Sequence, residues 1–315
     1  MFLGKVFCFL STDTMQEAHM KTTFRNYSPE PFHTADYIKV REFLTRINAD
    51  KIRTPRFLWG AWEWAVTHQN RDQTKLDKIG LWEDNGDIVA LATYECRFGE
   101  GFIFVDESYA HLKPELVAYA KENLHDNGKL QILIPEDDYE FARTAKAQGF
   151  RPTQSTDRNA VLDIDKLQSY KLPEGFSFVS MADGWNWEEY NRVMRRGFAG
   201  EENPIWNDDI ERTRKLMLSS PMIIPELIVA VTNADGSYVA HCGIWYKPGE
   251  PYCYIEPVVT DPDYQKMGLG KAVVLESVRR AGELGAVQAW VGSDKQFYYN
   301  IGFYPVQTSA YWELV

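Results

Sequence analysis

Between Tyr254 and Leu284 a strand-forming run, Tyr254-Ile255-Glu256-Pro257-Val258-Val259-Thr260, breaks into Gln265-Lys266-Met267-Gly268-Leu269-Gly270 and resumes as a helix. The helix keeps Val274, Leu275, Val278, Ala281 and Leu284 on one face. A strand that passes through a glycine turn straight into a helix leaves the first helical amides unbonded. They point at whatever lies above the turn, with the positive end of the helix dipole behind them, and so form an anion site. Two common nucleotide loops are excluded by residue identity. A Walker loop, GxxxxGK[ST], would need glycine at Gln265 and a hydroxyl at Ala272, and a Rossmann GxGxxG would need glycine at Val273. What remains is Gln-x-x-Gly-x-Gly. Just upstream, Pro257 has no N–H to give a ladder, which predicts a bulge or a free edge in that strand.

Turn signals divide the rest of the chain into two halves of similar order. In the first, a helix over Asp36 to Asn48 carries Tyr37, Val40, Phe43, Leu44 and Ile47 on one face. Strands follow at 79–83 and 88–96 around Asn85-Gly86, then a strand at 102–105, a helix at 114–124, a strand at 130–134 and a helix at 139–147 before Gly149-Phe150. The second half repeats this. It has a strand at 176–179, helices at 187–198 and 208–217, and strands at 227–231, 238–246 and 252–260. A helix at 268–284, a strand at 286–291 and a short helix at 297–300 lead to Gly302-Phe303. The fold class is α/β with a mixed sheet in two units, 20–165 and 173–315, joined by a polar linker near 163–173. Residues 1–19 are expected to be a loose extension.

The loop resembles that of the GNAT superfamily of acyl-CoA-dependent N-acyltransferases, whose motif is [Arg/Gln]-x-x-Gly-x-[Gly/Ala]. Val259-Thr260-Asp261-Pro262-Asp263-Tyr264-Gln265 is similar to the family's strand exit, and Phe297-Tyr298-Tyr299-Asn300-Ile301-Gly302-Phe303 to its F-Y-x-x-x-G-F helix. The resemblance implies a tandem pair of GNAT-like domains with acetyl-CoA as cosubstrate. In this reading Gln265, Lys266, Met267, Gly268, Leu269, Gly270 and Lys271 surround the CoA pyrophosphate, and Val258, Val259 and Thr260 meet the pantetheine and thioester. The first half resembles the same fold stripped of its chemistry. Asp106 to Leu112, at the loop position, holds no glycine, its Asp106 and Glu107 would repel a pyrophosphate, and Ala145 stands where the second half has Tyr298.

An alkylamine of pKa ~10.4 is neutral in only about one molecule in 2,500 at pH 7, so acetylating it calls for a base. Glu256 is the candidate, as a base acting directly or through water, or as a carboxylate that only orients substrate. Tyr298 is the candidate acid for the departing thiolate, by proton transfer or by a hydrogen bond alone; its other reading is a packing aromatic. The resemblance implies direct attack in a ternary complex, so Cys242 and Cys253 read as core thiols and His241 as a core histidine. Trp59, Trp62 and Trp64 fit either a pocket wall or core. Gly200 to Asp209, with its acidic residues, fits either an acceptor entrance or a helix capped at Asn207 or Asp208.

Composition limits the partners. With 34 Lys+Arg against 45 Asp+Glu the net charge is −11, which disfavours nucleic acid and suits a cationic small amine. No apolar run approaches the ~18–20 residues of a membrane span, and the four cysteines form no metal pattern, so a reduced cytoplasmic protein without metal is expected. Oligomeric state, monomer or homodimer, is not encoded in any motif. Rival readings are a non-catalytic acyl-CoA sensor, transfer of a longer acyl group or to a protein amine, and tRNA-dependent aminoacyl transfer, which the charge and the CoA loop oppose.

Overall fold

In the computed structural model the described residues are 22–29, 34–68, 71–199 and 209–315, so the expectation for residues 1–19 falls outside them. Among them the first half runs β1 (Thr23–Asn26), α1 (Ala35–Arg46), α2 (Trp59–Thr67), β2 (Gly80–Asp84), β3 (Asp87–Tyr94), β4 (Glu100–Val105), α3 (Lys113–Asn123), β5 (Gln131–Pro135), α4 (Tyr139–Ala147) and β6 (Phe150–Asp163). The second runs β7 (Ser177–Ser180), α5 (Trp187–Ala199), α6 (Ile210–Ser219), β8 (Ile228–Thr232), β9 (Tyr238–Tyr246), β10 (Tyr252–Thr260), α7 (Leu269–Glu283), β11 (Gln288–Val291), α8 (Gln296–Asn300) and β12 (Tyr304–Leu314). The fold is mixed α/β.

All these strands share one sheet, in the order β1-β2-β3-β4-β5-β12-β6-β11-β10-β9-β8-β7. The halves exchange their final strands. β12, from the second half, pairs with β5 from Ser309↔Pro135 to Glu313↔Gln131, while β6 pairs with β11 from Gln288↔Asp163 to Val291↔Ala160. Local chemistry explains the regular parts. Thr34 caps α1 by accepting from the Tyr37 N–H at 3.2 Å. Asn85 and Gly86 both take positive φ, 51° and 89°, as the hairpin turn requires.

Two cores flank the sheet. One joins α1, α2 and α3 to Tyr190, Val193 and Met194 of α5 and to Tyr252, Tyr254 and Val259 of β10. The other packs Val273, Val274 and Val278 of α7 on Cys242, Ile244 and Ile255. The first half's core is therefore continuous with one face of the second half's sheet. Trp59 and Trp62 are fully buried in it, with Trp64 nearly so, which assigns the tryptophan cluster to core rather than to a pocket wall. The cap of α6 is Asp209, one or two residues beyond the expected positions; its side chain accepts from the Arg212 N–H at 2.9 Å. Residues 200–208, the rest of the candidate acceptor entrance, lie outside the described residues.

Candidate active site

The site begins where β10 leaves its neighbour. The parallel ladder with β11 runs only from Tyr252↔Gln288 to Tyr254↔Trp290, while pairing with β9 continues to Thr260↔Ala240. Between Ile255↔Ile244 and Val258↔Cys242 the register slips, so Glu256 and Pro257 together face Gly243. This is the bulge expected at Pro257. Gly243 is there because a Cβ would lie 2.8 Å from the Glu256 carbonyl oxygen, and that oxygen accepts from Trp245 Nε1 at 3.0 Å. Beyond the bulge, Val258 to Thr260 have no strand on the β11 side, which leaves a wedge open to an extended ligand.

At the far end of the wedge lies the loop. Lys266 and Gly268 adopt positive φ, 62° and 81°, alternating with neighbours of negative φ, the pattern by which a backbone turn gathers its amides into an anion nest. A Cβ on Gly268 would meet nothing within 4 Å, so the space above the turn is open, whereas one on Gly270 would sit 2.8 Å from Thr260 Oγ1. The turn is braced from behind. Asp261 accepts from Arg192 Nη1 and Arg196 Nε of α5, both at 2.8 Å, which holds its carboxylate below the usual range despite burial. α5 itself approaches β10 closely at Gly197, where a Cβ would overlap Val259.

A cavity of about 700 Å³ follows this wedge. Its wall contains Val258, Val259, Thr260, Gln265, Lys266, Gly268, Leu269, Gly270, Lys271 and Tyr298. Met267, 45% exposed, and Glu256 are not on that wall. The wall adds residues that sequence reasoning did not single out, notably Gly197, Phe198 and Lys295. Lys271 donates to Gln168 Oε1 at 2.9 Å, tying the linker to the loop.

Glu256 faces the other way, toward the first half. Burial, with the negative charge of Glu95 next, raises its pKa to about 7, against the lowering pull of Arg56 and Lys295. Arg56 and Glu95 form a two-pronged ion pair, at 2.8 and 3.3 Å, beside it. Tyr254 donates to the Arg56 carbonyl at 3.2 Å and so docks this loop on β10, two residues before Glu256. Nothing in a local motif announces Arg56 or Glu95, because they come from the other half of the chain. Tyr298 is buried against Phe297 and Phe303, and burial followed by the Glu256 charge pushes its phenol well above the usual range. His241 is fully buried and held neutral, its pKa pushed down by burial to about 3. Burial pushes the Cys242 thiol up to about 12 and raises the Cys253 thiol as well, away from nucleophilic thiolate.

The first half repeats the wedge without the loop. β4 and β5 pair only at Glu100↔Gln131 and Gly101↔Ile132. Asp106 proves to be the counterpart of Asp261 rather than of the glycine loop: their N–H groups bond Val89 O and Val239 O, each at 2.9 Å, and each side chain caps the short turn that follows. What removes the anion site is the entry to α3. Leu112 is right-handed helical where Gly268 is left-handed, Pro114 deletes an amide donor, and Glu115 puts negative charge in the first turn. Among the described residues no group of His, Cys, Asp and Glu is placed to hold a metal, and no helix is long and apolar enough to cross a membrane.

Comparison with known proteins agrees with this geometry. Residues 187–305 match the family model described as the acetyltransferase (GNAT) family. A GCN5-related N-acetyltransferase from Sphaerobacter thermophilus superposes with a TM-score of 0.60 at 16% identity, over 93% of this chain and 95% of that one. A tandem GNAT protein from the clavulanic acid biosynthesis pathway gives 0.60 at 13% identity, over 93% and 98%. L-PGS from Bacillus licheniformis gives 0.52 at 14% identity, over 92% of each chain. Likeness at such identities shows the fold. Comparison with curated proteins finds no match.

Proposed function

From the match of residues 187–305 to the acetyltransferase (GNAT) family model, within a chain that shares its fold with a tandem GNAT protein, we propose that the protein transfers the acetyl group of acetyl-CoA to a primary amine of a small cationic molecule in the cytoplasm. The observation that carries the reading is the wedge between β10 and β11, which opens at the Glu256–Pro257 bulge and ends at the left-handed Gly268 turn ahead of α7. Amides of Lys266 to Lys271 hold the pyrophosphate, the Gln265 N–H being bonded to Pro262 O, and Val258 to Thr260 complete the sheet with the pantetheine.

The amine nitrogen attacks the thioester carbonyl carbon directly, the C–S bond breaks, and the amine proton passes to Glu256. A base of pKa about 7 is a stronger proton acceptor than an ordinary carboxylate by about 3 kcal/mol, and at neutral pH about half of it is ionised. Tyr298, a weaker acid than free tyrosine, stabilises the thiolate by hydrogen bond rather than by full proton transfer.

Calorimetric titration of acetyl-CoA into wild type and Gly268→Glu, followed by thiol release with a panel of amines, tests the reading. Tight binding lost in the variant and turnover with an amine are expected. Binding without turnover on any amine would favour an acyl-CoA sensor, and absence of binding would overturn the reading.

A further inference from the structure

Beside Glu256 the first half buries polar groups that acetyl transfer does not use. Asn159 on β6 is fully buried and donates its amide nitrogen to Asp157 Oδ2 at 3.3 Å, which fixes the orientation of the amide. Its Oδ1 has no hydrogen-bond partner among the described residues. Buried amide oxygens are rarely left so. The residue sits one position beyond Ala160↔Val291, the last pair of the β6–β11 ladder, and so lies level with Gly292. A Cβ on Gly292 would be 3.0 Å from the Tyr254 hydroxyl and 3.2 Å from Arg56 Cδ, so this is the point where the two halves meet.

The charges there do not balance. Arg56 spends both terminal nitrogens on Glu95 and approaches Asp157 only to 3.9 Å at Nε. Glu100 has no hydrogen bond or ion pair on its carboxylate among the described residues, and it lies within electrostatic reach of both Glu95 and Asp157. Against burial, which raises all three, Arg56 draws Glu100, Glu256 and Asp157 down, Arg97 and Lys295 add to this for Glu100 and Glu256, and Asp294 pushes Asp157 up. Asp157 Oδ1, Asn159 Oδ1 and the Glu100 carboxylate thus offer acceptors that receive no hydrogen bond among the described residues, Asp157 Oδ2 being taken by the Asn159 amide. An alkylammonium presents three donors and no acceptor.

We propose that the acceptor carries a second ammonium group, and that the first half of the chain binds it with Asp157, Asn159 and Glu100 while the reacting amine lies at Glu256. This rests on the amine acetyltransferase reading above and deepens it: the substrate is a diamine, and the distance across the junction of the two halves selects its length. Burial raises the proton affinity of Asp157 and Glu100 against the pull of Arg56, and a bound ammonium would lower it again.

The test is calorimetry on the full chain, with and without CoA, using α,ω-diamines of three to six carbons against n-alkylamines of equal length, on wild type, Asp157→Asn and Glu100→Gln. One diamine length should bind wild type at least about tenfold tighter than its monoamine, close to 1.4 kcal/mol. In both variants, with melting temperatures checked, that ratio should fall to within about twofold. Equal binding of diamines and monoamines, or a ratio unchanged in both variants, overturns the proposal. Acetylation of monoamines without any diamine preference would remove the second subsite and leave the acetyltransferase standing. Diamine preference without CoA binding would do the reverse.

Discussion

Gly60 of α2 lies flat against Tyr254 of β10: a Cβ on Gly60 would fall 2.8 Å from the Tyr254 Cβ and 2.9 Å from the Trp245 Cβ. The helix comes from the first half and the strand from the second, and the strand carries Glu256 two residues further on. The position of the candidate base is therefore set by a backbone contact between halves. Gly60→Ala should destabilise the protein by about 1–3 kcal/mol, read as a lower urea midpoint with unchanged slope. It should also lower kcat by moving β10; an unaltered kcat would separate the contact from catalysis.

The pH dependence follows from Glu256. Its ionised form is the base, so kcat/KM should climb about tenfold per pH unit at acid pH and level off with an apparent pKa near 7. Glu256→Gln should cut kcat by about 10²–10³ and erase that inflection. A profile that still bends near 7 in the variant would assign the titration to another group.

The same carboxyl affects stability, with the opposite sign to a paired acid. Its folded pKa, about 7, exceeds the ordinary 4.5, so between those values the unfolded chain releases the proton first and stability declines as pH rises. The loss is complete above pH 7. Glu256→Gln should be more stable than wild type at pH 8 by about 2 kcal/mol and lose that advantage at pH 4, as denaturation at the two pH values would reveal.

Tyr298 lines the cavity proposed to hold acetyl-CoA, so its hydroxyl should matter to turnover and little to binding. Tyr298→Phe keeps the packing on Phe297 and Phe303 and should lower kcat by about 10–100-fold while acetyl-CoA affinity changes less than about threefold. Loss of affinity in proportion to kcat would make the residue a packing aromatic.

Much of the C-terminal machinery was legible because it is local. Strand ends at Tyr238–Tyr246 and Tyr252–Thr260, the bulge at Pro257 and the start of α7 at the glycine turn all follow from neighbours in sequence. Helix α2 was not legible as a helix: every one of its residues is buried, so it shows no polar face and no 3.6-residue stripe. β6 hid for the opposite reason, since its polar stretch from Arg151 to Arg158 reads as loop until β12 is laid beside it. Arg56, Glu95, Asp157 and Asn159 carry no motif. Arg56 and Glu95 reach Glu256, and Asp157, bonded to Asn159, reaches Arg56, only because the fold brings together residues such as Arg56 and Tyr254, 198 positions apart.

The threading of β12 between β5 and β6 also sets an order of events during synthesis. Until residues 304–314 have emerged, β5 and β6 present unpaired edges to each other, and Asp157 and Asn159 have no neighbour on that side. A nascent chain can already own its glycine turn, its bulge and Glu256 and still lack a finished wall opposite them. Closure is thus a late, long-range step, and the junction of Arg56, Asp157 and Tyr254 exists only once the strands of both halves have been laid down together.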